Sequence, residues 1–156
     1  MNIFAFDPDP WTSALWLDDK RKNKMILETA QILSTVIHLS DPDGDTCSQV
    51  YKPTHVHHPC TKWATLTLGN FSWLVSYLTF LGVQKAGAHK SLDLLPTFDK
   101  WLMETSALPV DSRTPFQNSA RNVSQGVDFT GVEDTHEAYR LYICKRGLMC
   151  LSKPNA

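Results

Sequence analysis

The sequence predicts a mainly α-helical fold: a single compact helical domain with a short N-terminal extended segment and a long loop before the last helix. Three observations predict it. From about Asp18 to Leu39, Met25, Thr29, Ile32, Leu33, Val36 and Ile37 gather on one side of a helix drawn at about 100° per residue. Helix-start chemistry stands before apolar runs at Asp9-Pro10, Pro59 and Asn70. The chain has 156 residues, 42% of them hydrophobic, which suits one domain with a real core. That domain is expected over residues 1–150, with 151–156 as a frayed tail.

Each element follows in order. Asn2 to Phe6 reads as a short extended segment. Asp7-Pro8-Asp9-Pro10 is turn chemistry, with Asp9 as N-cap and Pro10 as first residue of a short helix through Trp16. The long helix comes next and ends at Ser40-Asp41-Pro42-Asp43-Gly44-Asp45, a dense cluster of loop residues. From Cys47 to Pro59 the chain is expected to be irregular. Pro59 starts a helix carrying Trp63, Ala64 and Leu66, which meets Gly69. Asn70 then caps a helix with Phe71, Trp73, Leu74, Leu78 and Leu81 as its apolar residues, and Gly87 ends it. A weaker helix covers about Thr97 to Ser106. The stretch from Leu108 to Gly131 is long for a loop and is expected to be functional or mobile. The last helix runs from about Asp134 to Lys145, with Gly147 as its stop.

Net charge is near −1, so nucleic-acid binding needs a local patch, not an overall field. The N-terminus lacks a basic region followed by a long apolar one, so no signal peptide is expected. The most apolar window, Phe71 to Val83, is too short and too polar to span a bilayer, and no membrane is expected as a partner. Cys47, Cys60, Cys144 and Cys150 form no CxxC pair, which fits reduced thiols in a cytoplasm. The phosphate loop, the dinucleotide glycine fingerprint, GxSxG, HExxH and the zinc-deaminase signature are all missing from the sequence.

Four constellations bear on chemistry. Lys20, Arg21, Lys24 and Glu28 share the polar face of the long helix. Cations one turn apart with a carboxylate one turn further suit a phosphate clamp beside a general base. The same residues also describe a solvated face with an ordinary Lys24–Glu28 surface pair. His55, His57, His58 and Cys60 are zinc-ligand types, but their spacing matches no standard zinc motif, and satisfied loop histidines or a packed sheet edge, with a buried thiol, explain them better. Trp63, Phe71, Trp73 and Tyr77 suit base stacking, and at helical spacing they suit a core. In the run Ala138-Tyr139-Arg140-Leu141-Tyr142 with Lys145 and Arg146, Arg140 and Lys145 suit phosphate neutralisation or a helix dipole, and His89-Lys90 can join either basic cluster.

Three blocks carry a resemblance. They are Met1-Asn2-Ile3-Phe4 with Asp9-Pro10 and Asp19-Lys20 through Gln31; Tyr51-Lys52-Pro53-Thr54-His55 with His58-Pro59-Cys60, Trp63-Ala64, Gly69-Asn70 and Trp73-Leu74; and Ala138-Tyr139-Arg140-Leu141-Tyr142. Together they resemble a family of small bacteriophage proteins, which in turn is faintly similar to the phage pyrimidine-dimer glycosylases. That resemblance implies an all-helical, phage-encoded protein in the host cytoplasm that acts on DNA or a nucleotide, with base excision as the implied chemistry. The glycosylases attack with the amine of an N-terminal Thr. Here residue 2 is Asn. Arg21, Thr65 and the run Gln84 to His89 also depart from the phage pattern.

The expected site follows. Glu28 or His58 is the acid or base. Lys20, Arg21, Lys24, His55, Trp63, Asn70, Trp73, His89, Tyr139 and Arg140 face phosphate or base. No cofactor and no bound metal is expected. Two alternatives stand beside it: a non-enzymatic phage accessory protein that binds a host or defence factor, and a zinc-stabilised binding module built on His55, His58 and Cys60.

Overall fold

The computed structural model describes residues 2–146 and is mainly α-helical, with one small two-stranded sheet. Gly147, Cys150 and the tail from Leu151 lie outside the described residues.

The opening segment is extended and buried at Ile3, Ala5 and Phe6. Phe4 interrupts it with a left-handed backbone, φ 56°. Helix α1 (Pro10–Leu15) holds that turn in place: Ser13 Oγ donates to the Phe4 carbonyl at 3.0 Å and accepts from the Phe6 amide at 3.0 Å. Asp9 caps α1 by accepting from the Thr12 amide at 2.9 Å, and Pro10 occupies a position where an amide has no helical partner.

Helix α2 (Asp19–Ser40) starts where Asp18 accepts from the Arg21 amide. Its N-terminal half is amphipathic, as the periodicity predicts. Its C-terminal half is buried on nearly every side, including Ser34 and Thr35. The reason is the segment that follows a 3-10 turn at Asp45–Gln49. Tyr51 to Thr54 lies along α2 and pairs with its polar side chains. Ser34 Oγ accepts from the Tyr51 amide at 3.2 Å, Thr35 Oγ1 accepts from the Thr54 amide at 3.1 Å, and His38 Nε2 lies 3.0 Å from the Tyr51 carbonyl. This stretch has no regular structure of its own because α2 satisfies its backbone.

Helix α3 (Pro59–Ala64) is a single short element, and Leu66 falls beyond it, exposed. Helix α4 (Leu68–Gln84) begins earlier than the sequence predicts. Thr67, not Asn70, is the cap, accepting from the Asn70 amide at 3.0 Å. The two amides before it donate to a distant loop, Leu68 to the Pro109 carbonyl and Gly69 to the Asp111 carbonyl. Gly69 is therefore inside the first turn. A Cβ there would lie 2.4 Å from the Arg113 nitrogen, so only glycine admits the loop so closely. At the other end α4 stops at Lys85, whose amide bonds the Leu81 carbonyl, and Gly87 comes two residues later in a left-handed turn.

A 3-10 turn (Lys90–Leu94) leads into α5 (Leu95–Glu104). The predicted long loop is not featureless. Its first part caps α4, and its second holds a small antiparallel hairpin of β1 (Arg121–Asn122) and β2 (Val127–Asp128). Helix α6 (Thr135–Lys145) starts at Asp134, which accepts from the His136 and Glu137 amides. Helix α4 sits centrally, packed on α1, α2 and α5, while α3 packs on α2. Helix α6 closes over the N-terminal segment through the rings of Phe4, Phe6, Tyr139 and Tyr142. No helix among the described residues is long and apolar enough to cross a membrane.

Candidate functional site

The first turns of α2 gather the cations that the sequence predicts. Lys20, Arg21 and Lys24 sit in the first two turns of α2 and share one face of it, and Leu17 lies just before the helix. That face lines a cleft of about 340 Å³, closed on its other side by Phe4 from the N-terminal segment and by Ile143 and Arg146 from the end of α6. Asn23 and Met25 complete the lining. The rim is cationic and the floor is apolar. Leu17, Met25 and Ile143 are almost fully covered, which leaves the half-buried Phe4 ring as the main apolar surface.

The cations are not equivalent. Arg21 is paired with the Asp18 carboxylate, which orients its guanidinium. Lys24 is 72% exposed at its side chain and stands 3.7 Å from Glu28, a contact too loose to hold the ammonium away from a ligand. Lys20 is exposed. Arg146 lies over the Tyr142 ring at 5.5 Å and donates to its hydroxyl at 3.1 Å, which fixes its direction. Lys22, on the turn between these residues, points elsewhere; it is buried, and burial lowers its pKa.

The other predicted site residues are not brought to this cleft. Glu28 lies one turn beyond it and reaches back to Lys24. Arg140 is bound within the fold: Nε donates to the Phe6 carbonyl at 2.9 Å, and the guanidinium pairs with Asp7 and Glu137 and lies over Trp16. Tyr139 is buried and anchors a polar network. Its hydroxyl donates to Asn2 Oδ1 at 2.7 Å and accepts from the Ser119 amide at 3.2 Å, while Asn2 Nδ2 donates to the Ser119 carbonyl at 2.9 Å. Cys60 Sγ turns into the same network, 3.7 Å from Asn2 Oδ1. Burial pushes the Cys60 thiol up to about 11, so it is neither a ready nucleophile nor a ready metal ligand.

Two of the histidines are caps. His58 Nδ1 accepts from the Cys60 amide at 3.1 Å at the start of α3, and His89 Nδ1 accepts from the Ser91 amide at 3.1 Å. Both pKa values are lowered, chiefly by burial, which favours the neutral ring that can accept. His55 is exposed on a left-handed backbone, φ 49°, with Nδ1 2.9 Å from Thr54 Oγ1. His55, His58 and Cys60 thus face three different partners. Among the described residues no three His, Cys, Asp or Glu side chains gather to hold a metal.

Trp63 and Trp73 belong to the core, only 3% and 7% exposed. Trp63 stacks on Phe116 at 4.8 Å and donates to the Pro115 carbonyl, and Trp73 stacks on Tyr77 at 5.1 Å and donates to the Pro8 carbonyl. Neither presents a face for a base. Asn70 is fully buried and ties three segments together: its amide donates to the Trp63 carbonyl and to Thr114 Oγ1, and its oxygen accepts from the Thr114 amide, each at 2.8 Å.

The site is therefore smaller than predicted, and it has members that the sequence does not single out. Arg146 stands next to predicted cations, but its convergence with α2 depends on how α6 packs. Phe4 carries no sequence signal beyond its place in an apolar run. Comparison with protein-family models, with curated proteins and with solved structures returns no match to this chain.

Proposed function

We propose that this protein binds DNA or a nucleotide through phosphate in the cleft between α2 and α6. One observation carries the reading: Lys20, Arg21, Lys24 and Arg146, from two helices distant in sequence, line one recess in a chain whose net charge is near −1. Cations focused on a recess raise the local concentration of an anion in a way that a scattered surface charge does not. Arginine supplies forked donors and lysine a mobile point charge, and both suit phosphate oxygens. The proposal is one of binding. Among the described residues the cleft lining has no carboxylate or imidazole to act as acid or base.

The test is a fluorescence-anisotropy titration of a labelled single-stranded oligonucleotide at several salt concentrations. About three to four neutralised phosphates give a slope of log K against log salt of roughly −2 to −3, at about −0.7 per contact. Lys20→Ala and Lys24→Ala should each weaken binding and flatten that slope by about 0.7. Binding that ignores salt, or that both variants leave intact, contradicts the proposal.

A further inference from the structure

We infer that the cleft takes a single nucleotide unit, with its phosphate on the cationic rim and its base against Phe4; this rests on the phosphate-binding reading above. Three features of the recess point this way. Its volume of about 340 Å³ is at the small end of ligand pockets, which run from about 300 to 1,000 Å³, so it admits one small molecule and not a length of duplex. Its lining is divided: Lys20, Lys24 and Arg146 are exposed cations, while Leu17, Met25 and Ile143 are buried and Phe4 is the aromatic member. A site for backbone phosphate alone has no use for an apolar floor, whereas a base has a π-face that must leave water when it binds. The third feature is the backbone of Phe4.

Phe4 is a non-glycine residue held at φ 56°. Such a conformation is strained and persists only when neighbours fix it. Ser13 fixes it through both the Phe4 carbonyl and the Phe6 amide. The turn leaves Ile3, Ala5 and Phe6 buried and the Phe4 ring half-buried at the cleft, backed by Phe6, Tyr139 and Tyr142 at 5.9 Å each. The ring is thus a rigid platform beside the phosphate-binding cations. The chemistry it recognises is a nucleoside monophosphate, either free or as one unit of a single strand.

The experiment is an NMR titration of the full chain with four ligands: a deoxynucleoside 5′-monophosphate, deoxyribose 5-phosphate, inorganic phosphate, and the free deoxynucleoside. The monophosphate is expected to bind at least about tenfold more tightly than deoxyribose 5-phosphate, a ratio typical of base stacking. Phe4→Leu should shrink that advantage, read as the ratio of the two affinities in the same variant. Equal binding of the two phosphates to the wild type overturns the inference while the phosphate-binding reading stands. No shift with any phosphate up to 10 mM, together with no binding of an oligonucleotide, overturns both. Competition separates the two sources. If a single strand displaces the monophosphate, the unit belongs to a strand; if the monophosphate binds and a single strand does not displace it, the ligand is free. Displacement by duplex as effective as by single strand overturns the inference.

Discussion

Replacing Asn70 with alanine should destabilise the protein without touching the cleft. The fully buried amide of Asn70 makes three hydrogen bonds of 2.8 Å, joining the end of α3, the first turn of α4 and the loop at Thr114. At about 1 kcal/mol for each bond, the loss is about 3 kcal/mol. The Trp63 carbonyl keeps the Leu66 amide as a donor, so the main orphan is the Thr114 amide. With a urea m-value of about 2 kcal/mol/M, the midpoint should fall by about 1.5 M. Thr114→Val removes the hydroxyl and keeps the amide, so it should cost only about 1 kcal/mol. The double variant should lose less than the sum, because the two residues share a bond. Urea unfolding followed by tryptophan fluorescence measures all three. A loss below about 1 kcal/mol in Asn70→Ala, or strict additivity with Thr114→Val, refutes the assignment of Asn70 as a cross-link. Oligonucleotide affinity measured well below the midpoint should be unchanged.

Two tyrosines should respond oppositely to the same change. The Tyr77 hydroxyl is buried without a hydrogen-bond partner among the described residues, so Tyr77→Phe should raise stability by about 1 kcal/mol; Tyr139→Phe breaks the Asn2 and Ser119 contacts and should lower it by about 1–3 kcal/mol, and chemical denaturation in which both move the same way counts against these environments. Gly69→Ala drives a Cβ into the backbone at Ser112 and Arg113, so stability should fall by about 1–3 kcal/mol, seen as a lower melting temperature, and trypsin should cut sooner at Arg113; an unchanged melting temperature disproves the close approach. Cys60 gives a pH dependence. Unfolded, it loses its proton near pH 9, and folded near 11, so the unfolded state binds fewer protons between those values and stability falls as pH rises. Cys60 alone should make stability at about pH 10.5 about 2 kcal/mol lower than at pH 8, and Cys60→Ala should abolish that share of the decline. The raised pKa values of buried Tyr77 and Tyr139 act in the same direction. A flat profile over that range contradicts the burial of these groups.

What the sequence made legible was local. Asp9-Pro10, the apolar stripe of α2 and Pro59 act through residues within one or two turns, and each element forms where its own neighbours dictate. Lys20, Arg21 and Lys24 share a face for the same reason. The errors are non-local. Thr67 and Asn70 are both good cap residues, and Gly69 between them looks like a break. The helix runs through because Pro109 and Asp111 accept the amides of Leu68 and Gly69 across some forty residues of chain. Trp63 and Trp73 carry the same letters whether they stack on a base or on Phe116, and only tertiary packing separates the two. His58 and His89 read as chemistry and serve as caps, because an imidazole nitrogen accepts from an amide as a carboxylate does. Arg146 enters the cleft through the packing of α6, which periodicity does not encode.

The most direct test of the central claim is amide chemical-shift mapping with a short single-stranded oligonucleotide at low salt. Binding in the cleft should concentrate the shifts at residue 4, residues 18–25 and residues 143–146, and added salt should reverse them. Shifts centred on residues 51–62 or 113–117, with the first turns of α2 unmoved, would contradict it.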